Sequence, residues 1–160
     1  MNTITRILLS LVLFHCALPA TDSDPVKEID TLLTSWHRAA AVADEAVYFG
    51  AMADDFVFLG TDAGERWNKK EFEAWSRKYF QRDSAWVFTS VKRYITLSDD
   101  GRTAWFDELL DSKSYWPTRG SGILTLTDEG WKLRQYNMAF TIPNESVGEI
   151  RPFIEKAFRK

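Results

Sequence analysis

The sequence changes its hydrophobic period near residue 85, and this change limits the fold more than any other feature. Before that point apolar residues recur at helical spacing, whereas 85–97 is rich in the β-branched and aromatic residues typical of strands. Three more strand-like runs follow: 102–112, 120–126 and 131–142. Helices followed by consecutive strands with tight turns between them predict an α+β domain with a largely antiparallel meander.

The last strand-like run suggests that the sheet is strongly curved. Trp131 and Leu133 are apolar on one strand phase, whereas Met138 and Phe140 are apolar on the other. A switch of phase near 134–136 is what a β-bulge produces, and bulges bend sheets.

The clearest local signal is a helix start after residue 67. Asn68 and Glu71 have the spacing of a capping box, and Trp67 and Phe72 have that of a hydrophobic staple. The inner face would carry three aromatic residues: Phe72, Trp75 and Tyr79. We expect this helix to begin at residue 68 or 69 and to pack inward.

Capping residues also mark the N-terminal helices. Asp24 and Pro25 begin an amphipathic helix, and Asp44 begins a second, short one. The apolar face of the short helix would consist of Tyr48, Phe49 and Met52. A first strand is expected at 56–59, and an amphipathic helix at 147–158.

The first twenty residues have the pattern of a secretory signal peptide. Arg6 precedes an apolar run at 7–14, and small residues with Pro19 follow up to Ala20, after which we expect cleavage. A lipoprotein modified at Cys16 and an uncleaved membrane anchor are the alternatives. We therefore divide the chain into a signal peptide (1–20), a linker (21–24) and one domain (25–160). The domain is expected to be exported, to the periplasm or the medium, without stable membrane association.

Composition excludes several classes of function. The 160 residues carry a formal net charge of -3 and no basic stripe, which argues against a nucleic-acid partner. No phosphate-binding loop, metal-ligand spacing or serine or cysteine nucleophile motif is present. We expect no cofactor and no metal.

Four stretches of sequence resemble a known family: FLGTDAGERWNKKEFEAW, AWFDELL, RGSGILTL and WKLRQYNMAFTIPNE. They are similar to the SnoaL-like branch of the nuclear transport factor two-like (NTF2-like) superfamily that occurs in exported bacterial proteins. The resemblance implies a cone of helices against a curved sheet, with a cavity between them, and often a dimer through the sheet. The family includes isomerases, dehydratases, epoxide hydrolases, polyketide cyclases and members without a known reaction, so fold leaves function open.

Asp107 and Glu108 are the candidate catalytic residues. The resemblance implies a carboxylate base in an apolar cavity, where burial raises its pKa. Adjacent strand residues point to opposite faces, so only one of the two acids can enter the cone. The alternative is one exposed acid and one acid paired with a buried arginine such as Arg119.

The candidate ligand-binding residues are aromatic or polar side chains expected near the cone: Tyr48, Trp67, Trp75, Tyr79, Trp105, Arg119, Tyr136 and Asn137. Arg119 would bind a carboxylate ligand or only neutralise an acid, and each aromatic residue would line the pocket or only fill the core. His37 lies beside the apolar stripe of the first helix. A satisfied helix histidine is favoured there over a catalytic role.

Three functions remain open at this point. The leading hypothesis is an exported domain that binds a small, mostly apolar molecule with one polar or acidic group. The second is a cofactor-free isomerase, lyase or hydrolase, although 56–61 lacks the carboxylate that an isomerase-like site would carry. The third is an interaction module that forms a homodimer through its sheet.

Overall fold

The structure is a computed structural model that describes residues 24–159. The expected signal peptide, the alternative site at Cys16 and linker residues 21–23 lie outside the described residues. The helices are α1 (Pro25–Ala41), α2 (Glu45–Gly50), α3 (Lys69–Phe80) and α4 (Val147–Phe158), and a 3-10 turn (Asn144–Ser146) precedes α4. The strands are β1 (Met52–Leu59), β2 (Arg66–Asn68), β3 (Thr89–Leu97), β4 (Thr103–Asp111), β5 (Thr118–Thr127) and β6 (Gly130–Phe140).

The strands form one six-stranded sheet in the order β2-β1-β6-β5-β4-β3. All pairs are antiparallel except β1 with β6, which are parallel. The predicted α+β class and the meander from β3 to β6 are therefore confirmed. β1 enters the sheet beside the last strand, so the sheet as a whole is mixed.

The predicted bulge lies in β6. Ile123 is paired with Gln135, but the next residue, Leu124, is paired with Leu133, so Arg134 is the extra residue. The inserted residue moves Tyr136 and Met138 onto the buried phase that Leu133 occupies before the bulge. The change of phase in the sequence is thus explained by the backbone.

The start of α3 agrees with its sequence signal. The Asn68 side chain accepts a hydrogen bond from the Glu71 backbone N–H at 3.0 Å, and the Glu71 carboxylate accepts one from the Asn68 N–H at 2.9 Å. The Trp67 and Phe72 ring centroids lie 6.0 Å apart, as a hydrophobic staple requires. Both predictions are confirmed.

Two predicted boundaries were wrong. α2 ends at Gly50 and β1 begins at Met52, because Met52 joins the parallel ladder with β6 instead of continuing the helix. β3 begins at Thr89 rather than at residue 85. The preceding segment, 85–88, is held against α1, where the Ala85 N–H donates to the Ala40 carbonyl at 3.0 Å.

The predicted C-terminal helix is present but does not join the core. α4 contains Pro152 and has no buried side chain, and Phe153 remains 76% exposed. The core instead fills the space between the concave face of the sheet and helices α1, α2 and α3. Its fully buried large side chains include Ile29, Leu33, Trp36, Tyr48, Phe56, Phe72, Leu124, Leu133 and Tyr136.

Among residues 24–159, no helix combines the length and the apolarity that crossing a bilayer would require.

Candidate functional site

A cavity of 210 Å³ lies between the helices and the concave face of the sheet. It is smaller than the roughly 300–1,000 Å³ of pockets for drug-sized ligands, so it fits a small molecule. Most of its lining side chains are aromatic. Trp36 from α1 and Tyr48 from α2 are stacked at 4.8 Å, and Tyr136 from β6 meets Trp36 edge-on at 4.7 Å.

The second wall comes from β2 and α3. The Trp67 and Trp75 rings are stacked with centroids 4.8 Å apart, and Trp75 contacts Tyr79 at 5.1 Å. Phe72 is fully buried behind them and stacks on Phe58 of β1 at 4.2 Å. The capping box fixes the first turn of α3, so the helix start sets the position of this aromatic wall.

Segment 85–88 and the β4–β5 connection complete the lining. Trp86 and Phe88 reach the cavity from the first, and Tyr115 from the second. Trp86 contacts the Phe80 ring at 5.3 Å and the Tyr79 ring at 6.1 Å. Segment 85–88 therefore packs against α1 and α3, and its aromatic side chains line the cavity although it is not a strand.

Behind the cavity wall, Glu108 is the centre of a buried polar cluster. Its side chain is 0% exposed. Oε1 lies 2.7 Å from His37 Nε2 and accepts a hydrogen bond from the Tyr136 hydroxyl at 3.1 Å. Oε2 accepts from Arg93 Nε at 2.9 Å, and Arg93 Nη2 lies 2.8 Å from the same oxygen. His37 and Tyr136 line the cavity, so the cluster meets it through these two residues.

The sheet register explains how the cluster forms. Arg93 of β3 lies directly opposite Glu108 of β4, and Gly120 of β5 lies opposite on the other side. A Cβ at position 120 would lie 2.2 Å from the Tyr136 hydroxyl oxygen, so only glycine leaves room for the hydrogen bond from Tyr136 to Glu108. Arg93 also donates to the Asp30 carboxylate of α1 at 2.6 Å, which joins α1 to the sheet.

Burial and charge act in opposite directions on these groups. Burial raises the pKa of Glu108, but the hydrogen bond and charge of His37, followed by those of Arg93, outweigh it, and the net pKa is lowered. Glu108 is therefore a carboxylate at neutral pH. Burial, followed by the Glu108 charge, holds the pKa of Tyr136 well above its usual value, and burial does the same for the pKa of Tyr48. Both phenols remain hydrogen-bond donors.

A second carboxylate, Glu65, lines the cavity directly. Its Oε2 accepts a hydrogen bond from the Asp62 N–H at 3.2 Å, which holds the side chain over the β1–β2 turn. A Cβ on Gly60 would lie 2.1 Å from this oxygen, so Gly60 is required for the close approach. Glu65 directly precedes β2, and both Glu65 and Trp67 line the cavity.

The structure brings five of the predicted ligand-binding residues to the cavity: Tyr48, Trp67, Trp75, Tyr79 and Tyr136. It corrects the positions of the other three. Trp105 and Arg119 are exposed on the outer face of the sheet, and Asn137, opposite Ser121, is also outside the cavity lining. The bulge in β6 and the alternation of β4 and β5 decide these positions.

The two candidate catalytic acids point to opposite faces, as expected. Asp107 lies on the exposed phase of β4 with Trp105 and Leu109, whereas Glu108 points inward. The interpretation of one exposed acid and one acid paired with a buried arginine describes this arrangement, but the arginine is Arg93. Arg119 was the wrong partner, because the register places Leu109 opposite it.

Sequence reasoning missed three functional candidates. The expectation of a satisfied helix histidine describes His37, but its partner is a buried carboxylate beside a cavity. Arg93 could be found only from the strand register. Glu65 could have been found from its spacing of two residues from Trp67, because alternate residues of an extended segment point to the same side. Among the described residues, no three or more His, Cys, Asp or Glu side chains are arranged to hold a metal ion.

Residues 29–143 match the family model of the SnoaL-like domain. The match covers more than half of the chain, so the protein belongs to the SnoaL-like domain family. No curated protein is significantly similar to it.

Solved structures with NTF2-like folds agree with this family. A protein of unknown function from Pectobacterium atrosepticum has a TM-score of 0.62 at 18% identity, over 76% of this chain and 94% of that one. An NTF2-like protein of unknown function from Pseudomonas putida has a TM-score of 0.60 at 14% identity, over 75% and 89%. A protein from Parabacteroides distasonis, provisionally described as a ketosteroid isomerase, has a TM-score of 0.58 at 15% identity, over 76% and 91%. At these identities the similarity establishes the fold alone.

Proposed function

We propose that this protein binds a small, mostly apolar molecule in its conical cavity. The observation that carries the proposal is the 210 Å³ space lined mainly by aromatic side chains with a few polar groups among them. Small-molecule sites have this composition, because apolar walls supply binding energy and a few polar groups fix the orientation. The phenol of Tyr48 and the carboxylate of Glu65 are those groups here, and the Tyr136 hydroxyl, which donates its proton to Glu108, can act only as an acceptor.

The geometry also refines the expected ligand. An acidic group was expected to bind Arg119, but that side chain is exposed outside the cavity. No Lys or Arg is among the lining residues in the described part of the chain. We therefore restrict the proposed ligand to a mostly apolar molecule without an acidic group.

The binding proposal is tested by crystallography with small neutral fragments soaked into crystals of the purified domain. The expected result is density for a fragment in contact with Trp36, Trp75 or Trp86. The variant Ala85→Phe, which places a ring in the lining, should abolish that density while the fold is kept. A cavity that stays empty with every fragment, or that is filled by a rearranged side chain, would refute the proposal.

An enzyme remains a second candidate because of the His37–Glu108 pair. A carboxylate that accepts from Nε2–H orients the ring and leaves the lone pair of the neutral imidazole on Nδ1. The base in this candidate is His37, held in place by Glu108. Glu108 itself is fully paired and has a lowered pKa, so it is not suited to be the base. Asp107 is excluded from this role by its position on the outer face.

The enzyme candidate is tested on fragments that bind. Each is incubated with wild-type protein and with His37→Gln, and its conversion is followed by NMR. A base at His37 predicts conversion by wild type and at least a hundredfold slower conversion by the variant, since general-base catalysis typically contributes roughly 100–10,000-fold. Equal rates would refute the role of His37, and no conversion by wild type would refute the enzyme candidate for the fragments used.

The outer face of the sheet supports the proposal of a homodimer. Several large apolar side chains are exposed there on neighbouring strands: Tyr94, Trp105, Leu109 and Ile123. Apolar residues clustered on an exposed sheet face are typical of an interaction surface. Sedimentation equilibrium would detect the dimer, and a monomer at all accessible concentrations would refute it.

Export is proposed from the sequence alone. Cleavage after Ala20 would give a mature chain that begins at Thr21. Intact-mass measurement on protein from the periplasm or the medium should give the mass of 21–160. The full-length mass in the cytosolic fraction would contradict export, and a lipid-modified mass beginning at Cys16 would indicate the lipoprotein alternative.

A further inference from the structure

The charges around the cavity favour one class of ligand. We propose that the cavity preferentially binds a small organic cation, such as a quaternary ammonium ion or a protonated alkylamine, with Glu65 as its counter-ion. The inference rests on the proposed binding function and adds the charge of the ligand. Three observations carry it: the position of Glu65, the aromatic walls and the lack of net positive charge in the cluster behind them.

Glu65 presents a negative charge to the cavity without a cationic partner among the described residues. Its carboxylate lines the space and accepts the hydrogen bond from the Asp62 N–H. A carboxylate beside an aromatic-lined space is stabilised by a cation there, since attraction between charges strengthens as water is excluded. An anionic ligand would be repelled for the same reason.

The aromatic walls add to this preference. Ring faces carry negative electrostatic potential and attract cations, and Trp rings attract them most strongly. Four Trp residues line the cavity: Trp36, Trp67, Trp75 and Trp86. Trp67 is two residues from Glu65 in the sequence, and both residues line the cavity.

The polar cluster behind the wall supplies no net positive charge that would oppose a cation. Arg93 supplies one positive charge to two carboxylates, Asp30 and Glu108. His37 donates to Glu108 as a neutral ring or balances it as an imidazolium. In either form of the ring, the four groups Asp30, His37, Arg93 and Glu108 together carry no net positive charge.

Two exposed cations lie near the site without lining it. Lys78 and Arg82 lie over the Tyr79 ring, at 5.0 Å and 4.9 Å from its centroid. Lys78 also lies 5.9 Å from the centroid of the Trp75 ring, so the ligand is expected on the side of Trp67 and Glu65.

The test compares choline with dimethylbutanol, its neutral isostere in which carbon replaces the ammonium nitrogen, by isothermal titration calorimetry on the full domain. Shape and size are matched, so the difference in affinity reports the charge. We expect choline to bind at least tenfold more tightly. Glu65→Gln keeps the acceptor for the Asp62 N–H and should reduce choline affinity about tenfold without changing dimethylbutanol. Glu73→Gln removes an α3 acid that does not line the cavity, and should change neither.

The outcomes separate this inference from the function on which it rests. Equal binding of both compounds, or tighter binding of dimethylbutanol, would overturn the preference for cations and leave the binding function intact. No binding of either compound, together with an empty cavity in the fragment soaks, would overturn both. A choline affinity that is unchanged in Glu65→Gln would overturn the role of Glu65. Since that side chain is partly exposed, the variant is expected to fold, and thermal unfolding would verify it.

Discussion

Replacement of Glu108 by Gln should destabilise the fold far more than replacement of its neighbour Asp107 by Asn. Glu108 is fully buried and accepts from Arg93, His37 and Tyr136. Removal of one partner from a buried ion pair costs about 3–5 kcal/mol, because the remaining charge is left uncompensated in a poorly solvated site.

The size of the loss can be narrowed from the contacts that remain. In Glu108→Gln, Arg93 keeps its bond to Asp30, and the amide oxygen of the new side chain can still accept from the arginine. We therefore expect a loss of about 3 kcal/mol in the free energy of unfolding, at the lower end of the range. Glu108→Ala would remove the acceptor as well and should cost more.

The assay is urea denaturation followed by Trp fluorescence, with the free energy of unfolding taken from the midpoint and slope. Asp107→Asn removes one carboxylate from the next position of the same strand, but on the exposed face, and should change stability by less than about 0.5 kcal/mol. A Glu108→Gln variant as stable as Asp107→Asn would refute the conclusion that the cluster holds α1 to the sheet.

Three further predictions follow from the same structure. The stability of the fold should decrease as the pH drops below the ordinary carboxyl pKa toward the lowered pKa of Glu108 in the folded protein, because folding stabilises the ionised form. This acid-dependent loss of stability should be smaller in Glu108→Gln. Identical pH profiles for the variant and the wild type would contradict the prediction. Gly120→Ala should lower the free energy of unfolding by about 1–3 kcal/mol, because the new Cβ clashes with Tyr136. Gly148→Ala, on an open helix face, should be neutral or stabilising by up to about 1 kcal/mol. Urea denaturation that ranks the two variants in reverse would refute the packing argument. In sedimentation equilibrium, Trp105→Glu should shift a sheet-mediated dimer to monomer. The control Val47→Glu, exposed on α2, should not. A dimer that both variants retain would place the interface elsewhere.

The parts of the fold that the sequence predicted are those set by local interactions. The capping box at Asn68 and the staple from Trp67 to Phe72 involve residues within five positions of each other, so their spacing contains the whole signal. The bulge at Arg134 was also predictable, since it moves the apolar phase within a single strand. Family resemblance added the global arrangement that local spacing could not supply.

The parts that were missed depend on partners distant in sequence. β1 begins at Met52 because of a parallel partner in β6, Leu133, and nothing near Met52 indicates it. Arg119 was named as the partner and Arg93 was missed for the same reason: the register between strands decides which arginine meets Glu108. Alternation along β4 predicted that Asp107 and Glu108 would separate, but not which of them would point inward.

Trp105 shows that composition alone does not predict where an aromatic side chain lies. A heavy aromatic load predicts a large core or an aromatic cavity, and most Trp residues here fulfil one of these roles. Trp105 instead is 49% exposed on the outer face of the sheet, because strand phase rather than residue type sets its direction. Only the structure separates the cavity-lining Trp residues from those outside.

That separation allows the most direct test of the central claim, that the cone is a binding cavity. The seven Trp residues can be labelled with fluorotryptophan, assigned by single Trp→Phe replacements and observed by fluorine NMR during titration with choline and dimethylbutanol. The account predicts concentration-dependent shifts for Trp36, Trp67, Trp75 and Trp86, and unchanged signals for Trp105, Trp116 and Trp131, which lie outside the lining. Shifts confined to the outer three, or none for the four that line the cavity with either compound, would contradict it.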